Sequence, residues 1–93
     1  MITAFVMIDA IPAQIPEVAA AVTAIDGVSE VYSVTGDNDL VAIVRVHSHE
    51  ELAEVIADGV NKVPGITRTL TNLAFRTYSA DDLDHAFDLG LGD

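Results

Sequence analysis

Ninety-three residues allow one domain with one hydrophobic core and leave no room for a second. Four basic residues stand against fifteen acidic ones, a formal net charge of −11, so the basic stripe that displaces counterions from nucleic acid is missing and direct DNA or RNA contact is not expected. The absence of Cys removes thiol catalysis, thiolate metal sites and disulfides, while a hydrophobic content of 51% is too high for a disordered acidic tail.

The first apolar run, Ile2 to Ile8 followed by Asp9, carries Ile2, Ala4, Val6 and Ile8 on one parity and Phe5 and Met7 on the other. This is the pattern of a strand covered on both sides. It is too short to cross a bilayer and no basic leader precedes it, so no membrane partner is expected and a cytoplasmic location is. Ile15, Val18, Val22 and Ile25 then recur at helical spacing, with Pro16 suited to a first turn and Gly27 to a C-terminal stop, predicting a helix over Gln14 to Ile25.

Val28 to Thr35 is rich in β-branched residues, the turn formers Gly36-Asp37-Asn38-Asp39 interrupt it, and strand character resumes from Leu40 to His47. That is a β-hairpin signal. Ser48 and Glu51 have capping-box spacing ahead of Leu52, Val55, Ile56, Val60 and Val63, predicting a second helix from Ser48 to Lys62. Val63-Pro64-Gly65 closes it, and Ile66 to Thr77 reads as a fourth strand. Ser79, with Asp82 three residues on, opens a short third helix carrying Leu83, Ala86 and Phe87, and Gly90 to Asp93 form a tail.

The two halves rhyme, with Ile25-Asp26-Gly27-Val28 matched by Val63-Pro64-Gly65-Ile66. The order βαββαβ predicts an α+β, ferredoxin-like sandwich, in which an antiparallel four-stranded sheet carries both helices on one face. Residues 1–78 form that domain and 79–93 a C-terminal helix and tail. Strands one and three are apolar on both faces, since Leu40, Ala42, Val44 and Val46 oppose Val41 and Ile43, so the face without helices calls for cover by a second copy. The alternative is a monomer in which the third helix covers that face.

Candidate site residues concentrate in Gly36-Asp37-Asn38-Asp39, where a Gly able to take positive φ stands beside two carboxylates. A free amino acid needs such groups, a carboxylate for its ammonium and exposed N–H groups for its own carboxylate. On residue types alone, an ordinary hairpin turn whose Asp and Asn only cap the backbone is the favoured explanation of the segment. Thr67, Thr69 and Thr71 offer hydroxyls along the fourth strand, though Thr is also a good strand former. His47 and His49 are spaced across a strand end and a helix start, which does not make their rings converge on a metal, and no metal or cofactor is expected. No nucleophile elbow, zinc helix or phosphate loop is present, so the chain is not expected to be an enzyme.

The βαββαβ order, the turn Val34-Thr35-Gly36-Asp37-Asn38-Asp39-Leu40 and the stretch Ala74-Phe75-Arg76-Thr77-Tyr78 together resemble the effector-binding (RAM) domain of the Lrp/AsnC transcription regulators, over nearly the whole chain. The resemblance implies a dimeric α+β barrel formed by sheet-to-sheet packing, assembly into octamers or related rings, and an amino-acid effector bound between dimers near this turn. It assigns effector contacts to Thr35, Gly36, Asp37, Asn38 and Asp39, with Thr69 and Thr71 as further candidates. Met1 leads straight into the first regulatory strand, as in single-domain members without the helix-turn-helix, and Asn38 stands where the family frequently has an aromatic residue. The expected function is a stand-alone amino-acid-sensing and oligomerisation module, able to assemble with full-length regulators. A small dimeric α+β barrel enzyme using a His, Tyr32 or Tyr78, of the monooxygenase or isomerase kind, and a purely structural partner of such regulators are the alternatives.

Overall fold

In the computed structural model, which describes residues 1–80, the chain forms β1 (Ile2–Ala10), α1 (Ile15–Thr23), β2 (Val28–Ser33), β3 (Leu40–Val46), α2 (His49–Ala53) and β4 (Ile66–Leu73). The sheet has the order β2-β3-β1-β4 with every pair antiparallel, so the ferredoxin-like α+β architecture stands as expected. The third helix and the tail fall, apart from the first residues of that helix, outside the described residues.

Alternation along the two central strands decides which face the helices cover. Ala4, Val6 and Ile8 of β1 and Leu40, Ala42 and Val44 of β3 are almost fully buried against Val18 and Val22 of α1 and Val55 and Val60 of the second helical stretch. Apart from Leu40, the core is built from small and β-branched side chains. Each fully buried Val or Ile contributes roughly 1.5–3 kcal/mol by leaving water.

Strand ends differ from expectation where side chains or bulges intervene. β1 runs on to Ala10 because Asp39 continues its pairing beyond Leu40, and its register with β4 slips between Asp9 and Ala10, leaving Thr67 as the bulged residue. β2 stops at Ser33 and β4 at Leu73, shorter than the β-branched runs that announced them.

The second helix begins as its spacing requires: Glu51 N–H donates to Ser48 Oγ at 3.2 Å, and His47 N–H donates to Glu51 Oε2 at 2.9 Å. It does not continue as one α-helix. After Ala53 the chain is wound as a π-helix over Glu54–Gly59 and as a 3₁₀ turn over Val60–Lys62. The burial pattern supplies the reason, because Val55 and Val60 are both core residues, yet five positions of an α-helix would set them about 140° apart. Winding with i→i+5 bonds returns both to the sheet side.

Three glycines, Gly27, Gly36 and Gly65, hold backbone conformations that other residues rarely adopt, and the first two differ in what surrounds them. Gly27 sits at φ +97° between α1 and β2, and a Cβ there would lie 2.7 Å from Val55 Cγ2. Gly36 sits at φ +106° in the β2–β3 hairpin, with nothing within 4 Å of an added Cβ. We therefore expect Gly36→Ala to lose roughly 1 kcal/mol through the backbone alone, and Gly27→Ala about 2–3 kcal/mol because a core contact adds to it. Urea denaturation of both variants checks this; equal losses would remove the Val55 contact from the explanation.

Candidate functional site

Beneath the helices the sheet is packed; its other face is open among the described residues. Cross-strand register lays Phe5 beside Ile43 and Asn72, and Met7 beside Val41 and Leu70, with Tyr32 next to Val41. Phe5 is 39% exposed, Leu70 49% and Tyr32 50%, with Met7 and Val41 half-buried and Ile43 buried among them, so the patch is apolar and partly wet. An apolar surface of this kind usually marks an interface.

Each end of the open face carries a polar device. At one end the Tyr32 hydroxyl donates to Glu30 Oε2 at 2.6 Å, and Arg45 meets Glu30 Oε1 at 3.4 Å. The Tyr32 hydrogen bond and then the Arg45 guanidinium hold the Glu30 carboxyl below its ordinary value, and the bond to Glu30 pushes the Tyr32 phenol up.

The Gly36–Asp39 hairpin lies at the other end, tied to the last residues of β1. Asp39 N–H donates to the Ile8 carbonyl at 3.0 Å, and Ala10 N–H donates to Asp39 Oδ2 at 3.0 Å, so the carboxylate takes over where the main-chain ladder runs out. Asn38 Nδ2 donates to Asp9 Oδ1, also at 3.0 Å. Val34 N–H donates to the Asp39 carbonyl at 3.1 Å and closes the loop. Thr35, Gly36 and Asp37 are exposed at the tip, while Asn38 and Asp39 are half-buried.

The candidates from β4 are not brought to this hairpin. Thr69 and Thr71 pair across Ile8 and Val6 and share their helix-covered face, where Thr69 Oγ1 donates to Asn61 Oδ1 at 3.4 Å. β1 intervenes, so Thr69 stands two strand spacings, roughly 10 Å, from the start of β3. Asp9, by contrast, joins the hairpin although sequence reasoning treated it only as the end of a strand. Its one visible signal is a carboxylate directly after an apolar run.

A separate cleft of about 510 Å³ opens at the far end of the molecule, between the α1–β2 turn and the second helical stretch. Asp26, Glu51, Glu54 and Asp58 line it together with Arg45 and His47. Four carboxylates make it a poor receptor for a carboxylate ligand. His47 and His49 are both exposed, and no group of three His, Asp or Glu side chains among the described residues is arranged to hold a metal ion. No helix among the described residues is long and apolar enough to cross a membrane.

With this geometry in hand, the chain matches the family model for the Lrp/AsnC ligand binding domain over residues 3–83. It is 32% identical over 75 residues to the HTH-type transcriptional regulator FL11 of Pyrococcus abyssi, covering 81% of this chain and 49% of that protein. The crystal structure of TTHA0845 from Thermus thermophilus is 46% identical with a TM-score of 0.81, covering 85% of this chain and 99% of that one. A feast or famine regulatory protein from M. tuberculosis complexed with L-methionine is 28% identical with a TM-score of 0.71, over 87% of this chain and 54% of that one. The chain spans about half the length of the curated relatives it matches.

The Glu30–Tyr32 bond has a defined pH window. Glu30 is depressed, so its share of stability is present above the ordinary carboxylate range and lost as pH falls through the lowered value; Tyr32 is raised, so its share is present below the ordinary phenol range and lost as pH rises through the raised value. Tyr32→Phe should move the Glu30 carboxyl midpoint upward toward its ordinary value, read by NMR titration. An unmoved midpoint would assign the depression to Arg45 alone.

Proposed function

This chain belongs to the Lrp/AsnC ligand-binding domain family, and from that premise we propose that it is an amino-acid-sensing module which acts through its state of assembly. The carrying observation is the hairpin of Gly36 to Asp39, fixed on β1 at the rim of an apolar sheet face that no helix among the described residues covers. Two copies packing these faces against each other would form a closed two-fold dimer, and further association into a ring would surround each hairpin with neighbouring chains. The relative complexed with L-methionine supports an amino acid as the ligand class.

In this reading the backbone N–H groups around Gly36 receive the ligand carboxylate. Asp37, or Asp39 through the oxygen that Ala10 does not occupy, faces the ammonium. Thr35 and Asn38 line the same turn. The output would be a change in oligomer size, or association with full-length regulators through the same sheet face, since a net charge of −11 opposes direct contact with DNA. The regulator names of the relatives favour this over an enzymatic role.

Two measurements test the proposal. A thermal-shift screen against the common amino acids should find at least one that raises the unfolding midpoint, a ligand at a hundred times its Kd adding about 2.7 kcal/mol to stability. Asp39→Ala should abolish that shift, whereas an unchanged midpoint with every amino acid would overturn the sensing role. Sedimentation should give a dimer or larger species at micromolar concentration, and Met7→Glu, which sets a charge in the middle of the open face, should yield monomers; a monomeric parent chain would sink the sheet-to-sheet assembly.

A further inference from the structure

After Leu73 the chain runs on without helix or strand as far as Ser79. Ala74 N–H still donates to the Thr3 carbonyl at 2.8 Å, but Phe75, Arg76, Thr77 and Tyr78 make no hydrogen bond or ion pair with any described residue. Phe75 is 96% exposed and Tyr78 71%, so two aromatic rings stand on either side of an unpaired guanidinium. Aromatic side chains and arginine are the residues in which protein interfaces are enriched.

The acidic cleft offers the opposite charge. Glu51 gives one oxygen to His47 N–H, while Asp26, Glu54 and Asp58 make no hydrogen bond or ion pair among the described residues. Arg45, also at the cleft, is engaged by Glu30. Ile25 and Val55 supply an apolar wall beside the carboxylates. Carboxylates gathered around one opening repel each other, and an entering guanidinium relieves that repulsion. Within one chain the two parts stand apart: the arm leaves β4 at one edge of the sheet, and the cleft opens beside the turn into β2 at the other.

We propose that Phe75 to Tyr78 form a docking arm whose receptor is the acidic cleft of a second copy in a neighbouring dimer, Arg76 entering between Glu54 and Asp58 while the flanking rings cover Ile25. The contact rests on the sheet-paired dimer described above and adds the seam that joins such dimers; it uses neither the open sheet face nor the Gly36–Asp39 hairpin. Four residues in one cleft make a small contact, well below the roughly 1,000 Å² of a stable interface. It therefore holds only when paired copies present two arms and two clefts together, the second engagement being intramolecular. Because arm and cleft are different patches, they join dimers head to tail and close only as a ring.

The test is sedimentation velocity over a range of concentrations on the full chain, its Arg76→Glu variant and a cleft variant carrying Glu54→Lys and Asp58→Lys. All three positions are exposed, and thermal midpoints close to the parent's confirm that the variants fold. The parent should form species larger than a dimer. Arg76→Glu alone and the cleft variant alone should each weaken the association of dimers at least tenfold and leave the dimer itself in place. An equimolar mixture of the two should recover the larger species, because the acidic arm of one meets the basic cleft of the other; a contact within a single chain would not be restored by mixing. Larger species that persist in Arg76→Glu, a parent that stops at the dimer, or a mixture that fails to recover them would overturn the arm and cleft while leaving the sheet pairing intact. A monomeric parent would bring down both.

Discussion

Two helical segments can roof one face of a four-stranded sheet, and in this chain both faces of the central strands are apolar. Val6, Ile8, Ala42 and Val44 spend their side chains on the helices; Phe5, Met7, Val41 and Leu70 have no such cover among the described residues. The imbalance follows from simple alternation, because strands that are apolar at every position cannot hide both parities in a two-layer fold. The proposed assembly depends on that surface.

Polar chemistry is confined to the margins of the surface, and there it is ordered. At one end Tyr32, Glu30 and Arg45 satisfy one another in a short chain of hydrogen bonds. At the other, Asn38 and Asp39 reach back to β1 across a separation of 29 residues in sequence. Those two bonds turn a hairpin tip into a placed element, since a loop held only by its own strands would be free to sway over the sheet edge. The side chains that fix it are thus structural and, in the proposed site, positional together, which is how a small domain without disulfides can present a defined rim.

The family relation and the open face reinforce each other physically. In the proposed reading the domain acts by association, which needs an apolar surface of this kind, and a ligand bound at its rim would couple occupancy to assembly by mass action. The acidic cleft at the far end, lined by Asp26, Glu51, Glu54 and Asp58, lies outside that logic.

Element types, their order and the two-faced character of β1 and β3 were determined by the sequence itself, because periodicity, turn formers and the Ser48–Glu51 cap act over a few residues at a time. The hairpin was legible for the same reason, down to Gly36 as the residue at positive φ. Only the tertiary structure decided that Asp39 completes the β1 ladder, that Asn38 finds Asp9, that Thr69 and Thr71 turn to the helix side, and that the second helix widens so that Val55 and Val60 share the core. These outcomes depend on strand register, on a bulge at Thr67 and on the competition of distant side chains for the same core volume, and no local window of residues contains that information.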